Sequence, residues 1–191
     1  MNSQFLGDAL DHWKGSIISL LLSKQLTQNI VAEPMITDLQ PWQREDIDTY
    51  GRLVSRELLC PICHGGSTFS GRREDYFNEI PQYGDVFLDP DIGIALGKAT
   101  RKHVKITEIK KLLGQSNRVV MVYQHSGHED FHQRLLTIKN KISGAIPNVH
   151  CIVYQCGQVA MFFISSSDSR IAEIKNALQE LLRGTARRRI W

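Results

Sequence analysis

Glycine is missing where an α/β nucleotide-binding chain most needs it: none occurs between Gly15 and Gly51. The first predicted strand, centred on Ile30-Val31-Ala32, is followed by Glu33-Pro34-Met35-Ile36-Thr37-Asp38. That turn lacks the glycines that let backbone amides approach a pyrophosphate, so a standard dinucleotide-binding turn is excluded there. Long hydrophobic runs are also lacking. Nothing approaches the ~18 consecutive apolar residues of a membrane-spanning helix. The opening Met1-Asn2-Ser3-Gln4 carries neither a basic region nor an apolar core, so no signal peptide is expected and a cytoplasmic location follows by default. Cysteine is sparse: Cys60, Cys63, Cys151 and Cys156 in 191 residues do not form the disulfide framework of a small secreted domain. Charge of one sign is missing too, since the net charge is only +3.

What is there fits one α/β domain over 1–191, with a Gly- and Cys-containing loop insertion at 56–72 and a basic tail at 184–191. The stretch Asp85-Val86-Phe87-Leu88-Asp89-Pro90-Asp91-Ile92-Gly93 organises the rest. Three apolar residues entering an acid–proline–acid corner read as a strand buried on both faces, as in parallel sheets. Ligands in such sheets sit beyond the carboxyl ends of the strands, which is where Asp89 and Asp91 stand. A helix or turn cap is the plainer role for one of these acids. A second buried strand, Val119 to Tyr123, ends in Gln124-His125 and brings Tyr123 and His125 to the same kind of end.

Residues 5–23 read as an amphipathic helix, from Leu6, Leu10, Trp13, Ile17 and Leu20 at three- and four-residue steps. Asp8, Asp11, His12 and Lys14 lie beside that stripe. An acid near a helix start interacts favourably with the helix dipole, which accounts for Asp8 but not for Lys14. Further helices are predicted over 42–54, 72–80, 107–113 (capped by Thr107 and ended by Gly114), 131–142 and 171–182. His150 to Gln155 and Val159 to Ser165 read as strands joined across Gly157.

Cys60-Pro61-Ile62-Cys63-His64 is half of a zinc site, which only Cys151 and Cys156 could complete as four cysteines; a redox pair and unliganded thiols are the other readings. Basic residues crowd three stretches: Arg72-Arg73; Arg101, Lys102, Lys105, Lys110 and Lys111; and Arg183, Arg187, Arg188 and Arg189. They permit contact with the phosphates of RNA or DNA, or are simply a solvated surface. No oligomeric state follows from the sequence.

Strand–helix alternation ending in a hairpin resembles the carboxyl half of class I S-adenosylmethionine-dependent methyltransferases, which close their sheet with such a hairpin. Leu88-Asp89-Pro90-Asp91 stands where amino-methyltransferases of nucleic acids carry an acid-or-amide–Pro–Pro–aromatic tetrapeptide. Gly7-Asp8-Ala9-Leu10-Asp11-His12-Trp13-Lys14 resembles the Gly-x-x-x-Asp-x-x-Lys segment of bacterial ribosomal-RNA adenine methyltransferases. The chain is also similar to a group of uncharacterised bacterial proteins with strands ending Asp-Pro-Asp-x-Gly and Tyr-x-His. Asp91 and Ile92 depart from the tetrapeptide, replacing its second proline and the aromatic that stacks on the target base.

The resemblance implies a mostly parallel Rossmann-like sheet flanked by helices and closed by an antiparallel hairpin. It implies methyl transfer to nucleic acid, with Asp89, Asp91, His125, Asp8 and Lys14 as catalytic candidates. Asp38, Gly93, Asp11 and Tyr123 are the candidates for holding S-adenosylmethionine. The carboxylates Asp8, Asp11, Asp38, Asp89 and Asp91 also suit Mg²⁺ or Mn²⁺, so a metal-dependent nuclease is the alternative. A formal Pro90-Asp91…Glu108-Ile109-Lys110 match to restriction endonucleases goes with it, and needs Glu108 on a strand. A non-catalytic binding protein on the same scaffold is the third reading.

Overall fold

The computed structural model describes residues 2–27, 29–37, 41–55, 64, 72–114, 117–127, 130–182 and 189–191. A five-stranded mixed sheet lies between two layers of helices. Its strands are β1 (Val31–Glu33), β2 (Val86–Leu88), β5 (Val120–His125), β7 (Val159–Ser165) and β6 (His150–Cys156), in that spatial order. Two pairings, β1 with β2 and β2 with β5, are parallel, and two, β5 with β7 and β7 with β6, are antiparallel. The expectation of a mostly parallel sheet is thus met only in the first half. β7 lies inside the sheet between β5 and β6, because it is buried at every position and apolar at all but Ser165. The outer edge of β6 is covered in turn by the end of the chain, where Trp191 exchanges both backbone bonds with Val153.

The period-two alternation of each strand sorts its side chains into two cores. Val86, Leu88, Val120 and Val122 face α3 (Arg73–Glu79), α4 (Ile106–Leu113) and α5 (Phe131–Ala145). Phe87, Met121, Phe163 and Met161 face α1 (Ala9–Ser23), α2 (Arg44–Ser55) and α6 (Asp168–Leu181). Burial of these apolar faces, at about 25 cal/mol per Å², is the main favourable term holding the layers together. Gly15 sets the distance between α1 and α2, since a Cβ there would fall 1.8 Å from the Leu53 carbonyl oxygen.

Three local expectations are corrected. The helix expected from residue 5 starts at Ala9: Gly7 turns the chain at φ +86°, and the Asp8 carboxylate caps α1 by accepting from Leu10 N (2.8 Å) and Asp11 N (3.1 Å). A short 3₁₀ turn, Ser3–Phe5, precedes it. Thr107 is not the cap of α4 but lies within its first turn, because Glu108 reaches back to accept from Lys105 N at 2.7 Å. The basic stretch after Asp91 also holds two short strands that the pattern did not show. β3 (Gly93–Ile94) and β4 (His103–Val104) pair in parallel beside the end of β5. Apart from His64 and Arg72, the expected insertion at 56–72 lies outside the described residues, as do residues 184–188 of the expected basic tail at 184–191.

Candidate functional site

The carboxyl ends of β2 and β5 meet the start of α1 around a cavity of about 390 Å³. Asp8, Asp11, Lys14, Asp89, Asp91, Tyr123 and His125 all line it, although they come from three separate stretches of chain. At its centre the Lys14 ammonium lies 2.9 Å from Asp11 Oδ1 and 2.8 Å from Asp89 Oδ2. Tyr50, on α2, donates its hydroxyl to the same Asp89 oxygen at 3.0 Å. Gly7 N donates to the other Asp11 oxygen at 2.8 Å, which ties the turn before α1 to the cluster. The Lys14 and Asp89 side chains are only 5% and 2% exposed, so their attraction acts with little screening from water.

The protonation of this cluster follows from two acids sharing one base. Burial alone would drive the Lys14 proton off, but Asp89 and Asp11 outweigh it and hold its pKa above the ordinary lysine value. Burial pushes the Asp89 carboxyl upward; Lys14 opposes the shift without cancelling it, and Asp11 adds to it. Lys14 is therefore the charged partner at neutral pH and not a proton acceptor. Its ammonium also lies 4.4 Å from the Tyr123 ring centroid.

The second acid has a different environment. The Asp91 side chain is 15% exposed, accepts from the Thr37 hydroxyl at 2.6 Å and lies 3.8 Å from Lys102 Nζ. Burial disfavours its charge, but nearby positive charge and the Thr37 hydrogen bond prevail and hold it below the usual carboxylate range. Asp89 thus anchors the corner and Asp91 faces the cavity as a stable anion. Tyr123 is raised by burial and by Asp89, Asp8 and Asp11, so its phenol stays protonated. The Tyr123 hydroxyl is buried and has no hydrogen-bond partner among the described residues. His125 is exposed, and its Nδ1 lies 3.0 Å from the Ser126 carbonyl oxygen.

Among the described residues, four carboxylates and two ammonium groups line the cavity. Its apolar wall is Phe5, Leu10, Pro90 and Ile92, and Phe5 is 56% exposed.

Several residues that shape the site were not singled out by the sequence. Gln124 is fully buried and holds the corner in place: its amide accepts from Ile94 N (2.8 Å) and donates to the Ile92 (2.8 Å) and His125 (2.9 Å) carbonyls. A polar residue at an apolar-face position of β5 was the available signal. Gly93 is the counterpart of Gln124. It has φ +123°, and a Cβ there would fall 2.2 Å from the Gln124 side chain. Its lack of a side chain is used for packing against Gln124, and Gly93 is not among the residues that line the cavity. Glu33, which ends β1, is buried and bonds His64 Nδ1 (2.7 Å), Met35 N (2.9 Å) and the Tyr76 hydroxyl. This acid sits in the turn that lacks glycine and fills it with hydrogen bonds of its own.

Other expectations end here. Asp38, Cys60 and Cys63 lie outside the described residues. Cys151 and Cys156 pack on opposite faces of the sheet, so they do not converge to complete a four-cysteine site. Burial pushes the Cys151 thiol up to about 12, away from the thiolate a zinc ion needs. Glu108 is in α4 and forms a two-pronged ion pair with Arg73, at 2.6 and 2.7 Å. The endonuclease-like spacing therefore does not place its acids on paired strands. Among the described residues no three His, Cys, Asp or Glu side chains are grouped to hold a metal ion. A cation between Asp11 and Asp89 would have to displace Lys14.

No protein-family model matches the chain, and no curated protein or solved structure matches it either.

Proposed function

We propose that the chain is an S-adenosylmethionine-dependent methyltransferase that acts on an exocyclic amine of a nucleobase in RNA or DNA. One observation carries the reading. The two segments that resemble methyltransferase motifs, 7–14 and 88–91, are 75 residues apart at Lys14 and Asp89, and they meet in an ion pair beneath a single cavity. The strand–helix alternation and the antiparallel β6–β7 pair agree with a Rossmann-like sheet of the methyltransferase kind, although only half of its pairings are parallel.

The lining suits the cofactor. S-adenosylmethionine supplies an electrophilic methyl group on a sulfonium cation, and an acid-rich cavity attracts that charge. Asp8, Asp91 and the unpaired Tyr123 hydroxyl are the residues that would hold it. The turn after β1 holds no glycine and is filled by Glu33, so the cavity itself, of a size ordinary for one small-molecule ligand, takes the larger part of the binding.

On the substrate side, Lys14, Tyr50 and Gln124 keep the corner at 89–92 rigid, so that Asp91 and Pro90 meet an amine in a fixed geometry. Asp89 is held beneath them and acts through that corner. Asp91, ionised and partly exposed, is the acceptor for the amine hydrogens. Phe5 offers a face for base stacking in place of the aromatic that Ile92 lacks. A base in a duplex would first have to leave the stack, which favours single-stranded substrates.

Isothermal titration with S-adenosylhomocysteine, followed by transfer of labelled methyl groups to single-stranded RNA and DNA, tests the reading. Binding and transfer are expected for the wild type, with transfer lost in Asp91→Ala. No heat at millimolar ligand would end the proposal. Binding of nucleic acid without the cofactor would leave the chain a non-catalytic binding protein.

A further inference from the structure

An acid-rich cavity repels the phosphates on either side of any nucleotide that enters it, so a nucleic-acid substrate needs positive charge at the rim. We propose that the turn at residues 100–102, between β3 and β4, is a phosphate-binding site for single-stranded nucleic acid, with Arg101 and Lys102 as its two cationic contacts. The inference rests on the reading of the cavity as a nucleobase site and adds to it where the strand runs.

Position is the first argument. Lys102 lines the cavity, and its carbonyl accepts from Ile92 N at 3.0 Å, so the turn is hydrogen-bonded to the corner that carries Asp91. Arg101 and Lys102 are both exposed. Rigidity is the second. The Arg73 guanidinium, held by Glu108, donates to the Thr100 carbonyl at 2.9 Å and the His103 carbonyl at 2.7 Å. Within the turn, Lys102 N lies 3.3 Å from Thr100 Oγ1, and that hydroxyl lies 2.9 Å from His103 Nδ1. A surface loop without function has no need of a half-buried arginine clamping its two ends. The clamp lowers the entropy lost when the turn meets a ligand.

Position also separates this turn from the other basic residues. Arg73 is committed to the clamp, and Arg72, which pairs with Asp75 at 2.9 Å, does not line the cavity. Lys110 and Lys111 are in the last turn of α4. That end lies at the amino ends of the strands: Arg118 bridges the Leu112 carbonyl to the Gly84 carbonyl, which precedes β2. A strand whose base occupies the cavity passes Arg101 and Lys102 on its way and leaves α4 aside.

The test uses a fluorescein-labelled single-stranded 12-mer and the full chain, with anisotropy read from 50 to 200 mM salt. Wild type is compared with Arg101→Ala/Lys102→Ala and with Lys110→Ala/Lys111→Ala, whose melting temperatures serve as the check on folding. Loss of two phosphate contacts makes the salt slope shallower by about 1.4, so the wild-type advantage shrinks roughly sevenfold over that range. Arg101→Ala alone should give half of the slope change. The Lys110→Ala/Lys111→Ala variant should bind like wild type. Equal weakening by both double variants, unchanged binding by the turn variant, or no binding by wild type would each overturn the proposal. S-adenosylhomocysteine titrated into wild type separates the two readings. Turn-dependent oligonucleotide binding without cofactor binding leaves the turn and removes the methyltransferase, and the reverse pattern removes the turn alone.

Discussion

Lys14→Met isolates the physics of the acid cluster. The substitution keeps the length and apolar bulk of the stem and removes one buried positive charge from between Asp11 and Asp89, two acids that are 1% exposed. Removing one partner of a buried ion pair typically costs about 3–5 kcal/mol, because the other charge stays desolvated and unpaired. At roughly 2–4 °C per kcal/mol for a chain of this size, melting should fall by about 6–20 °C. The pH dependence has a definite sign. Without Lys14 the folded-state pKa of Asp89 rises further above its unfolded value, so the folded state binds protons more tightly. The deficit should therefore shrink as pH falls toward 4.5 and be full at pH 8. Wild type differs: Lys14 has a folded pKa above the ordinary lysine value, so its contribution is complete below that value and is lost only as pH rises through the folded pKa. Asp89→Asn in the Lys14→Met background removes one of the two uncompensated charges and should recover more than half of the loss. Urea denaturation followed by circular dichroism, from pH 4.5 to 8, measures all of this as differences from wild type. A Lys14→Met deficit under about 1 kcal/mol at pH 7.5, or one independent of pH, would falsify the view of Lys14 as the charge that makes these acids tolerable.

Other consequences follow from single contacts. Gln124→Leu removes the side chain that satisfies Ile94 N and the Ile92 and His125 carbonyls, and should cost about 2–4 kcal/mol in urea denaturation; a loss under 1 kcal/mol would mean that the corner is held without it. Phe5→Ala should leave the melting temperature nearly unchanged, since Phe5 is 56% exposed, while weakening single-stranded oligonucleotide binding by about 1–3 kcal/mol, read by anisotropy. Unchanged binding would remove Phe5 as a stacking surface. The His64 imidazole lies against Glu33 and Glu79, which outweigh burial and hold its pKa above the ordinary value. Its contribution to stability is thus complete below about pH 6.5 and lost as pH rises through the folded value. His64→Gln should therefore lose more stability at pH 5.5 than at pH 8.5, and a difference of the opposite sign would count against the Glu33–His64 pair.

The longer elements and their faces are legible in the sequence, whereas β3 and β4 are not. Val86-Phe87-Leu88 and Val119 to Tyr123 read as buried strands because apolar runs bounded by turn residues have few other stable uses, and the stripes of α1, α5 and α6 are legible at three- and four-residue steps. The acid corner at 89–91 and the Tyr-x-His end of β5 could be placed at one end of the sheet for the same reason. Local signals failed where a side chain answered to a distant partner. Asp8 reads as a charge near a helix start and is a cap only because Gly7 turns the chain first. Glu108 reads as the acid of an endonuclease-like spacing, and its pairing with Arg73 depends on α3 lying beside α4. Gly93 reads as a residue left open for a ligand, when the space is filled by Gln124 from 30 residues away. The distinction between Asp89 and Asp91 was likewise closed to the sequence, where both are acids flanking one proline. Tertiary structure decided it, by setting Lys14 and Tyr50 around the first and leaving the second facing the cavity. Burial and opposing charge are properties of a place in the folded chain, and residues 75 positions apart come to share that place only when the sheet and α1 have packed.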